Sequence, residues 1–190
     1  MKHAASRELY AYWEQRRGQR LAPERAEIEP GALRQVLSDT FILALEDKAR
    51  HPFRLAGTRV CALFGRELKG EAFLDLWAAA SRPLITGLLA ILADECVGTV
   101  AGVTAHNDKG ELLDLELLLL PLSTNRPSFA RAIGVLAPLK IPQWLGANPI
   151  DALRLGSRRH LGTATEKRLL PRFMTARPRR GFVVYDGGRT

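Results

Sequence analysis

Cysteine is scarce in this chain, whose 190 residues include only Cys61 and Cys96. So small a number fits a reducing cytoplasm, and we expect both to be small core side chains rather than a disulfide. Long apolar runs are also missing, because the longest such stretch, Leu112–Leu122, is interrupted by Asp114 and Glu116. A membrane-spanning helix needs about 18 or more consecutive apolar residues, so the sequence predicts no membrane span.

Signals for export and for metal chemistry are lacking as well. Residues 1–8 contain no apolar core of the kind that a signal peptide needs, which favours a cytoplasmic location. The histidines (His3, His51, His106 and His160) are scattered, and no spacing between them suggests a metal site. The sequence contains no nucleophile elbow, phosphate-binding loop or zinc-binding helix. We therefore predict no metal and no catalytic residue. A small enzyme whose site assembles only in the fold stays a third alternative.

Acidic residues are few towards the C-terminus. Residues 151–190 contain ten Lys or Arg against three Asp or Glu, whereas residues 1–150 contain eighteen against seventeen. Most of the net charge of +8 therefore belongs to the C-terminal segment. The side chains that we assign to a basic patch there are Arg158, Arg159, Lys167, Arg168, Arg172, Arg177, Arg179 and Arg180.

Four interpretations of this basic patch are open. It is a solubilising surface, or it binds a protein partner, nucleic acid or an anionic membrane surface. Only two aromatic residues, Phe173 and Phe182, interleave with the basic side chains, and no DNA- or RNA-binding motif is present. The pattern favours the solubilising surface first and a protein partner second.

The N-terminal region carries an amphipathic helix. Its pattern predicts a helix over residues 6–17, with Ser6 as N-cap and an apolar face formed by Leu9, Tyr12 and Trp13. A single helix of this length is marginal in water, so this face must pack on something. The candidates are the sheet of its own domain and a second copy of the chain.

Alternating apolar residues predict five strands, with helical segments between the second and the third. The strands are predicted over residues 40–46, 53–56, 98–106, 112–120 and 129–136. The order is therefore two strands, a helical insert that runs to about residue 95, and three strands. This is the order of a PAS domain.

Proline and glycine break the chain beyond residue 138. A helical turn is predicted over residues 150–155, and residues 181–188 form a strand-like apolar end. We divide the chain into an N-terminal helix and connector, a core, and a basic C-terminal extension, with the boundaries 1–39, 40–138 and 139–190.

One string of residues resembles a known family. Between Phe53 and Gly70 the chain reads R-L-A-G-T and then F-G-R-E-L-K-G, and Phe73 and Trp77 follow. Gly57 in this string permits a sharp turn from strand to helix. The sequence resembles a bacterial PAS-type family, common in alphaproteobacteria and formerly catalogued as a domain of unknown function. The resemblance extends to both ends of the chain.

The resemblance implies an α+β fold and a function in sensing or docking rather than catalysis. The expected fold is a five-stranded antiparallel sheet with a helical insert over one face, a flanking N-terminal helix and a basic C-terminal extension. In this arrangement one apolar face of the sheet meets the insert. The side chains expected there are Phe41, Leu43, Phe53, Leu55, Leu113, Leu115, Leu117 and Leu119.

Two interpretations of this apolar face are open. The side chains fill a solid core, or they line a cavity for a small apolar or aromatic ligand. Asp114 and Glu116 alternate with the leucines, and we expect them on the solvated face of the strand.

Two cofactors of PAS domains are disfavoured, and we predict none. Haem needs an axial ligand on the insert, yet no histidine lies between His51 and His106. Photoactive flavin domains carry a cysteine within an Asn-Cys-Arg motif, whereas Cys61 follows Val60 and precedes Ala62. We expect Cys61 to be a core side chain.

Arg66, Glu67 and Lys69 lie in the family-like string, where packing does not obviously require charge. They serve recognition of a partner or an anionic ligand, or Glu67 forms an intramolecular ion pair with Arg66 or a neighbour.

The sequence thus predicts a non-catalytic, cytoplasmic, bacterial PAS-type protein that senses or docks in signalling. Its expected partners are a small apolar ligand, a signalling protein or a second copy of the chain, with Leu9, Tyr12 and Trp13 as a recognition face. The alternative is a nucleic-acid-associated regulator that binds phosphate through the basic extension.

Overall fold

The computed structural model describes residues 1–124 and 131–161, and every structural statement below concerns these residues. The helices are α1 (Ala4–Arg17), α2 (Thr58–Phe64) and α3 (Arg82–Glu95). The strands are β1 (Thr40–Ala44), β2 (Phe53–Ala56), β3 (Gly98–His106), β4 (Leu112–Leu122), β5 (Arg131–Pro138) and β6 (Arg154–Leu161). Short 3-10 helices lie at Arg25–Glu27, Pro30–Leu33, Leu37–Asp39 and Phe73–Leu76.

All strands join one antiparallel sheet in the order β2-β1-β5-β4-β3-β6. The predicted order of two strands, a helical insert and three strands is confirmed, and so is the α+β fold. The insert, which contains α2 and α3, covers one face of the sheet, and α1 covers the other. Two apolar cores therefore share the sheet as their common wall.

The predicted count of five strands is wrong, because β6 pairs with β3 at the end of the sheet. The helical turn predicted over residues 150–155 is absent from the described part of the chain, where Ile150 and Leu153 instead enter the core. Part of the segment that the sequence assigned to a basic extension is thus structurally continuous with the sheet.

Two features explain why the sequence pattern did not predict a strand at β6. Every residue except the partly buried Leu155 and Leu161 is exposed, so no alternation of apolar and polar residues marks the strand. A bulge opposite Gly102 also shifts the register. Close approach is possible there because Gly156 has no side chain: a Cβ at this position would lie 3.0 Å from the Gly102 carbonyl oxygen.

Helix α1 packs on the sheet of its own domain, which is one of the two candidates left open by the sequence. Leu9 and Trp13 are buried against the sheet, and Trp13 Nε1 donates a hydrogen bond of 2.8 Å to the Pro121 carbonyl. Tyr12 lies at the edge, where its hydroxyl donates to the Glu27 carbonyl and accepts from Glu29 N. The helix begins earlier than predicted, because His3 rather than Ser6 is the N-cap.

A bulge in the first hairpin overturns one predicted orientation. Leu43 pairs with Phe53 and Ile42 pairs with Leu55, so the extra residue Arg54 rotates the strand between them. Leu55 therefore packs on the α1 side of the sheet, while Phe53 stays on the insert side. The simple alternation that placed both on one face is wrong at this position.

Several predictions fall wholly or partly outside the described residues. The fifth strand is described from Arg131 onward, so its predicted first residues, 129–130, lie outside. The strand-like end at 181–188 lies outside as well. No helix within the two described ranges is long and apolar enough to cross a membrane.

Candidate functional site

The insert-side core brings together seven of the eight predicted lining residues. Those seven are Phe41, Leu43, Phe53, Leu113, Leu115, Leu117 and Leu119, all of them buried. They come from β1, β2 and β4, which supply the central and edge positions of the sheet opposite α3. Leu55 is excluded by the bulge described above.

Aromatic rings occupy the middle of this core. The ring centroid of Phe73, from the insert, lies 5.7 Å from that of Phe41, 5.6 Å from that of Phe53 and 5.7 Å from that of Trp77. Phe41 and Phe53 also meet edge to face at 5.7 Å. Such contacts match the preferred geometry of packed aromatic pairs. At this place the arrangement favours a filled core over a preformed cavity.

A small cavity lies between the end of β1 and α3. Its volume is ≈ 60 Å³, and its walls include Leu45, Leu89, Ala93 and His51. His51 is only 4% exposed, and its Nδ1 has no hydrogen-bond partner among the described residues. The residue also adopts a left-handed backbone with φ of 48°. A buried polar atom beside an apolar cavity is the feature here that sequence reasoning missed.

The environment of His51 disfavours its charged form. Burial lowers the pKa of the imidazole below its ordinary value, against opposing effects from Asp47 and the Ala44 backbone. Lys48 lowers the pKa further. The folded protein therefore holds His51 neutral under conditions in which the unfolded chain binds a proton.

We expect the free energy of unfolding to fall as the pH falls below about 6.5, the ordinary pKa of histidine. The unfolded state then binds more protons than the folded state, which favours unfolding. Urea unfolding between about pH 7.5 and pH 5 measures this trend, with His51→Asn as the matched variant because asparagine tolerates the left-handed backbone. An unchanged pH dependence in His51→Asn would show that another group is responsible.

Glu116 is buried, which corrects the expectation of a solvated carboxylate. It lies on the α1 side of β4 and is only 5% exposed. Its carboxylate accepts hydrogen bonds from Lys2 N at 2.6 Å and His3 N at 3.0 Å. Burial raises the pKa of this carboxyl, but the Lys2 and His3 backbone donors, the Ser6 hydroxyl and the N-terminal charge together lower it by more, so the net pKa lies below the ordinary value. Glu116 thus fixes the start of α1 to the sheet.

Replacing Glu116 with leucine is expected to lower the free energy of unfolding by about 1–3 kcal/mol, because both N–H donors lose their acceptor. Amide hydrogen exchange should also become faster in the first turn of α1. Asp114→Leu is the matched control, since Asp114 lies two residues away on the same strand and is exposed. Equal effects of the two substitutions would contradict the proposed role of Glu116.

The charged string of Arg66, Glu67 and Lys69 is held by local contacts. Arg66 Nε pairs with the Glu71 carboxylate at 3.0 Å, and its guanidinium lies 5.8 Å from the Phe64 ring centroid. Glu67 accepts from the backbone N–H groups of Lys69 and Leu68, both at 3.1 Å, and these bonds lower its pKa. The ion pair expected for Glu67 is not present among the described residues, and Arg66 pairs with Glu71 instead. A recognition role for these residues stays a prediction.

Two members of the predicted basic patch, Arg158 and Arg159, lie on exposed positions of β6. Together with Glu116 and Lys2 they border an open cavity of ≈ 350 Å³ near the start of α1. The remaining members, Lys167, Arg168, Arg172, Arg177, Arg179 and Arg180, lie outside the described residues. The patch therefore begins within the sheet itself.

The family of the chain follows from its sequence as a whole. Residues 1–137 match the family model described as PAS domain. The chain belongs to the PAS domain family. No match to this PAS protein was found among curated protein sequences.

Solved structures of sensory domains resemble this PAS protein at low sequence identity. An RNA-binding light-oxygen-voltage receptor has 15% identity and a TM-score of 0.45, over 62% of this chain and 34% of that chain. The present chain thus spans about a third of that receptor. The light-state Aureochrome1 LOV domain has 16% identity and a TM-score of 0.43, over 61% of this chain and 91% of that chain. The PAS domain of an HTR-like protein from Haloarcula marismortui has 13% identity and a TM-score of 0.39, over 57% and 89%.

Candidate metal ligands do not cluster in the described part of this PAS protein. No group of three or more His, Cys, Asp or Glu within residues 1–124 and 131–161 is placed to hold a metal ion. Cys61 is partly buried against the insert-side core, and Cys96 is buried. The features that remain for function are the insert-side core, the attached helix α1 and the exposed strand β6.

Proposed function

We propose that this PAS protein is a non-catalytic sensory or docking protein of a cytoplasmic signalling system. It acts through a small apolar ligand, a protein partner or both. The observation that carries the proposal is the double-sided sheet, with an apolar aromatic core on one face and an attached helix on the other. The small number of cysteines supports the cytoplasmic location.

The two faces of the sheet are connected directly through the backbone of β1. Phe41 and Ile42 are consecutive in β1, yet Phe41 packs among the insert-side rings and Ile42 packs in the α1-side core. Any event that moves Phe41 also displaces the backbone that carries Ile42. A ligand or partner then changes the position of α1, provided that it binds the two arrangements with different affinity.

A ligand would enter the insert-side core by displacing packed side chains. The nearest open space is the ≈ 60 Å³ cavity beside His51, whose unpartnered Nδ1 supplies a polar anchor for an otherwise apolar molecule. Leu89 and Ala93 of α3 form the wall that must move. This requirement favours a small ligand that binds with a rearrangement of α3.

A homodimer formed by the Leu9, Tyr12 and Trp13 face would require α1 to leave its sheet. Leu9 is 0% exposed and Trp13 is 5% exposed in the described arrangement. Release of α1 would uncover both side chains and break the hydrogen bond from Trp13 to Pro121. Dimerisation through this face is therefore a candidate output state rather than the resting state.

Native mass spectrometry of the purified full-length protein tests the proposal. An additional mass that disappears on denaturation would identify a bound ligand and its size. Monomeric protein without added mass, and without change on mixing with apolar and aromatic compounds, would remove the ligand part of the proposal and leave protein docking. The same spectra report whether dimers exist.

The second candidate is a nucleic-acid-associated regulator. The observation in its favour is the exposure of Arg158 and Arg159, which form no ion pair with a carboxylate among the described residues. Phosphate binding would weaken steeply with added salt, because each neutralised phosphate releases counterions. Absent or salt-independent binding of a DNA or RNA oligonucleotide would reject this candidate.

A further inference from the structure

We infer that β6 is a docking strand for an extended, acidic segment of a protein partner. The inference rests on the proposed docking function and specifies both the surface and the chemistry of the partner. It depends on how the two edges of the sheet differ and on how charge is distributed along β6.

The two edge strands of the sheet differ in the hydrogen bonding of their outward-facing backbone groups. At one end, β2 is covered: Phe53 N donates to the Glu71 carbonyl at 3.0 Å, and Gly70 N donates to the Phe53 carbonyl at 2.9 Å. At the other end, β6 pairs with β3 alone. Away from β3, one backbone group of β6 has a partner within the described residues, since Leu155 N donates to Ser81 Oγ at 3.1 Å. The remainder of the β6 edge has no backbone partner within residues 1–124 and 131–161, and an unpaired edge is a template for pairing with another strand.

All charged side chains of β6 are basic. Arg154, Arg158 and Arg159 are exposed, and β6 contains no acidic residue. None of the three lies within 4.0 Å of a carboxylate in the described ranges, in contrast to Arg17 and Arg66. Isolated cations on an edge strand oppose pairing with copies of the same strand but attract a strand that carries Asp or Glu. The edge therefore selects an acidic peptide.

The placement of the arginines favours a peptide over nucleic acid. Arg158 is paired with Ala101, whose side chain faces the insert, whereas Arg159 is paired with Val100, whose side chain faces α1. Consecutive side chains of a strand point to opposite faces, so the two guanidinium groups leave β6 in different directions, although both residues border the open cavity near the start of α1. β6 contains no Phe, Tyr or Trp to stack with a base, and the ring of its one histidine, His160, shares a hydrogen bond of 3.0 Å with Thr99 Oγ1. A neighbouring strand with acidic residues on both faces meets both cations.

The test uses the full-length protein and a labelled synthetic peptide, Glu-Glu-Thr-Val-Glu-Glu-Thr-Val, which places glutamates on both faces of a strand. Two probes of comparable charge serve as comparison: the same peptide with N-methyl groups on all of its backbone amides, so that neither edge can donate, and single-stranded oligothymidine. We expect the unmodified peptide to bind at least about tenfold more tightly than either, because strand pairing requires its N–H donors. Hydrogen exchange over residues 154–161 should slow when the peptide is added.

Charge reversal supplies the matched variants. Arg158→Glu combined with Arg159→Glu should weaken peptide binding at least about tenfold, whereas Arg50→Glu combined with Lys109→Glu, at exposed sites outside β6, should change it less than about threefold. Circular dichroism checks that both variants fold. If the β6 variant does not fold, the inference is still tested by comparing how tightly the methylated and unmethylated peptides bind to the native protein.

Three results would overturn the inference. Equal binding of the N-methylated peptide would mean that charge alone attracts the probe, and tighter binding of oligothymidine would favour the nucleic-acid candidate. Absence of peptide binding would equally reject β6 as a docking strand. None of these results alters the ligand test by native mass spectrometry, so failure of this inference is distinguishable from failure of the proposed function.

Discussion

Leu117→Glu is expected to unfold the protein. Leu117 is 1% exposed, lies in the middle of β4 and pairs with Ala101 on one side and Leu136 on the other. Its side chain belongs to the insert-side core, where a carboxylate would have no polar surroundings. Burying an unpaired charge costs several kcal/mol, which is comparable with the whole stability of a small domain, about 5–15 kcal/mol. Circular dichroism and urea unfolding measure the effect.

Leu112→Glu is the matched control for this experiment. Leu112 begins the same strand and is 62% exposed, so the same substitution there should change the free energy of unfolding by less than about 0.5 kcal/mol. A folded and stable Leu117→Glu protein would mean that the register of β4 is wrong.

Gly57→Ala should lower the free energy of unfolding by about 3 kcal/mol or more. A Cβ at this position would collide with the carbonyl oxygens of Leu37 and Ser38, and these are backbone atoms that cannot rotate away. The backbone of Gly57 itself is ordinary, with φ of −68°, so the cost is steric and does not come from the conformation. Thermal or urea unfolding gives the magnitude.

Gly87→Ala provides the comparison for a glycine that is free of such contacts. Gly87 lies in α3, and a Cβ there would have no heavy atom within 4 Å. Because alanine favours helix by about 1 kcal/mol over glycine, this variant should be unchanged or more stable. Similar losses of stability in Gly57→Ala and Gly87→Ala would contradict the close approach of the chain at Gly57.

The regular part of the fold was predictable because burial follows alternation there. In β4, Leu113, Leu115, Leu117 and Leu119 reach the core as a strict period of two requires. The helix α1 was predictable for the same reason, since Leu9 and Trp13 lie one turn apart on its apolar face. Only the structure shows what this apolar face packs against.

The failures share one cause, which is that local pattern does not report contacts distant in sequence. Glu116 alternates like a solvated residue, yet it is covered because the backbone of Lys2 and His3 reaches it from more than a hundred residues away. Leu55 is displaced by a bulge that leaves no signature in four residues of strand. Strand β6 is exposed, so no apolar alternation marks it.

The candidate site was only partly predictable. The apolar face followed from alternation, but the cavity beside His51 depends on how α3 crosses the end of β1. The one available signal was a histidine directly before Pro52, at the entry to the family-like string. A single histidine in a sequence predicts neither that its side chain is buried nor that its Nδ1 has no hydrogen-bond partner among the described residues.

Fluorine NMR of 5-fluorotryptophan-labelled protein tests whether the two faces of the sheet are coupled. Trp77 reports on the insert-side core, Trp13 reports on α1, and Trp144 completes the set of three tryptophans. The variant Phe73→Leu alters the contacts with Phe41 and Trp77 without introducing charge.

If the faces are coupled, the Phe73→Leu spectrum should show displaced resonances of both Trp77 and Trp13, while exposed Leu112→Ala displaces neither. Trp→Phe variants assign each resonance. A Trp13 resonance that stays in place while that of Trp77 moves would mean that the insert-side core does not communicate with α1. The sensory mechanism proposed for this PAS protein would then be wrong.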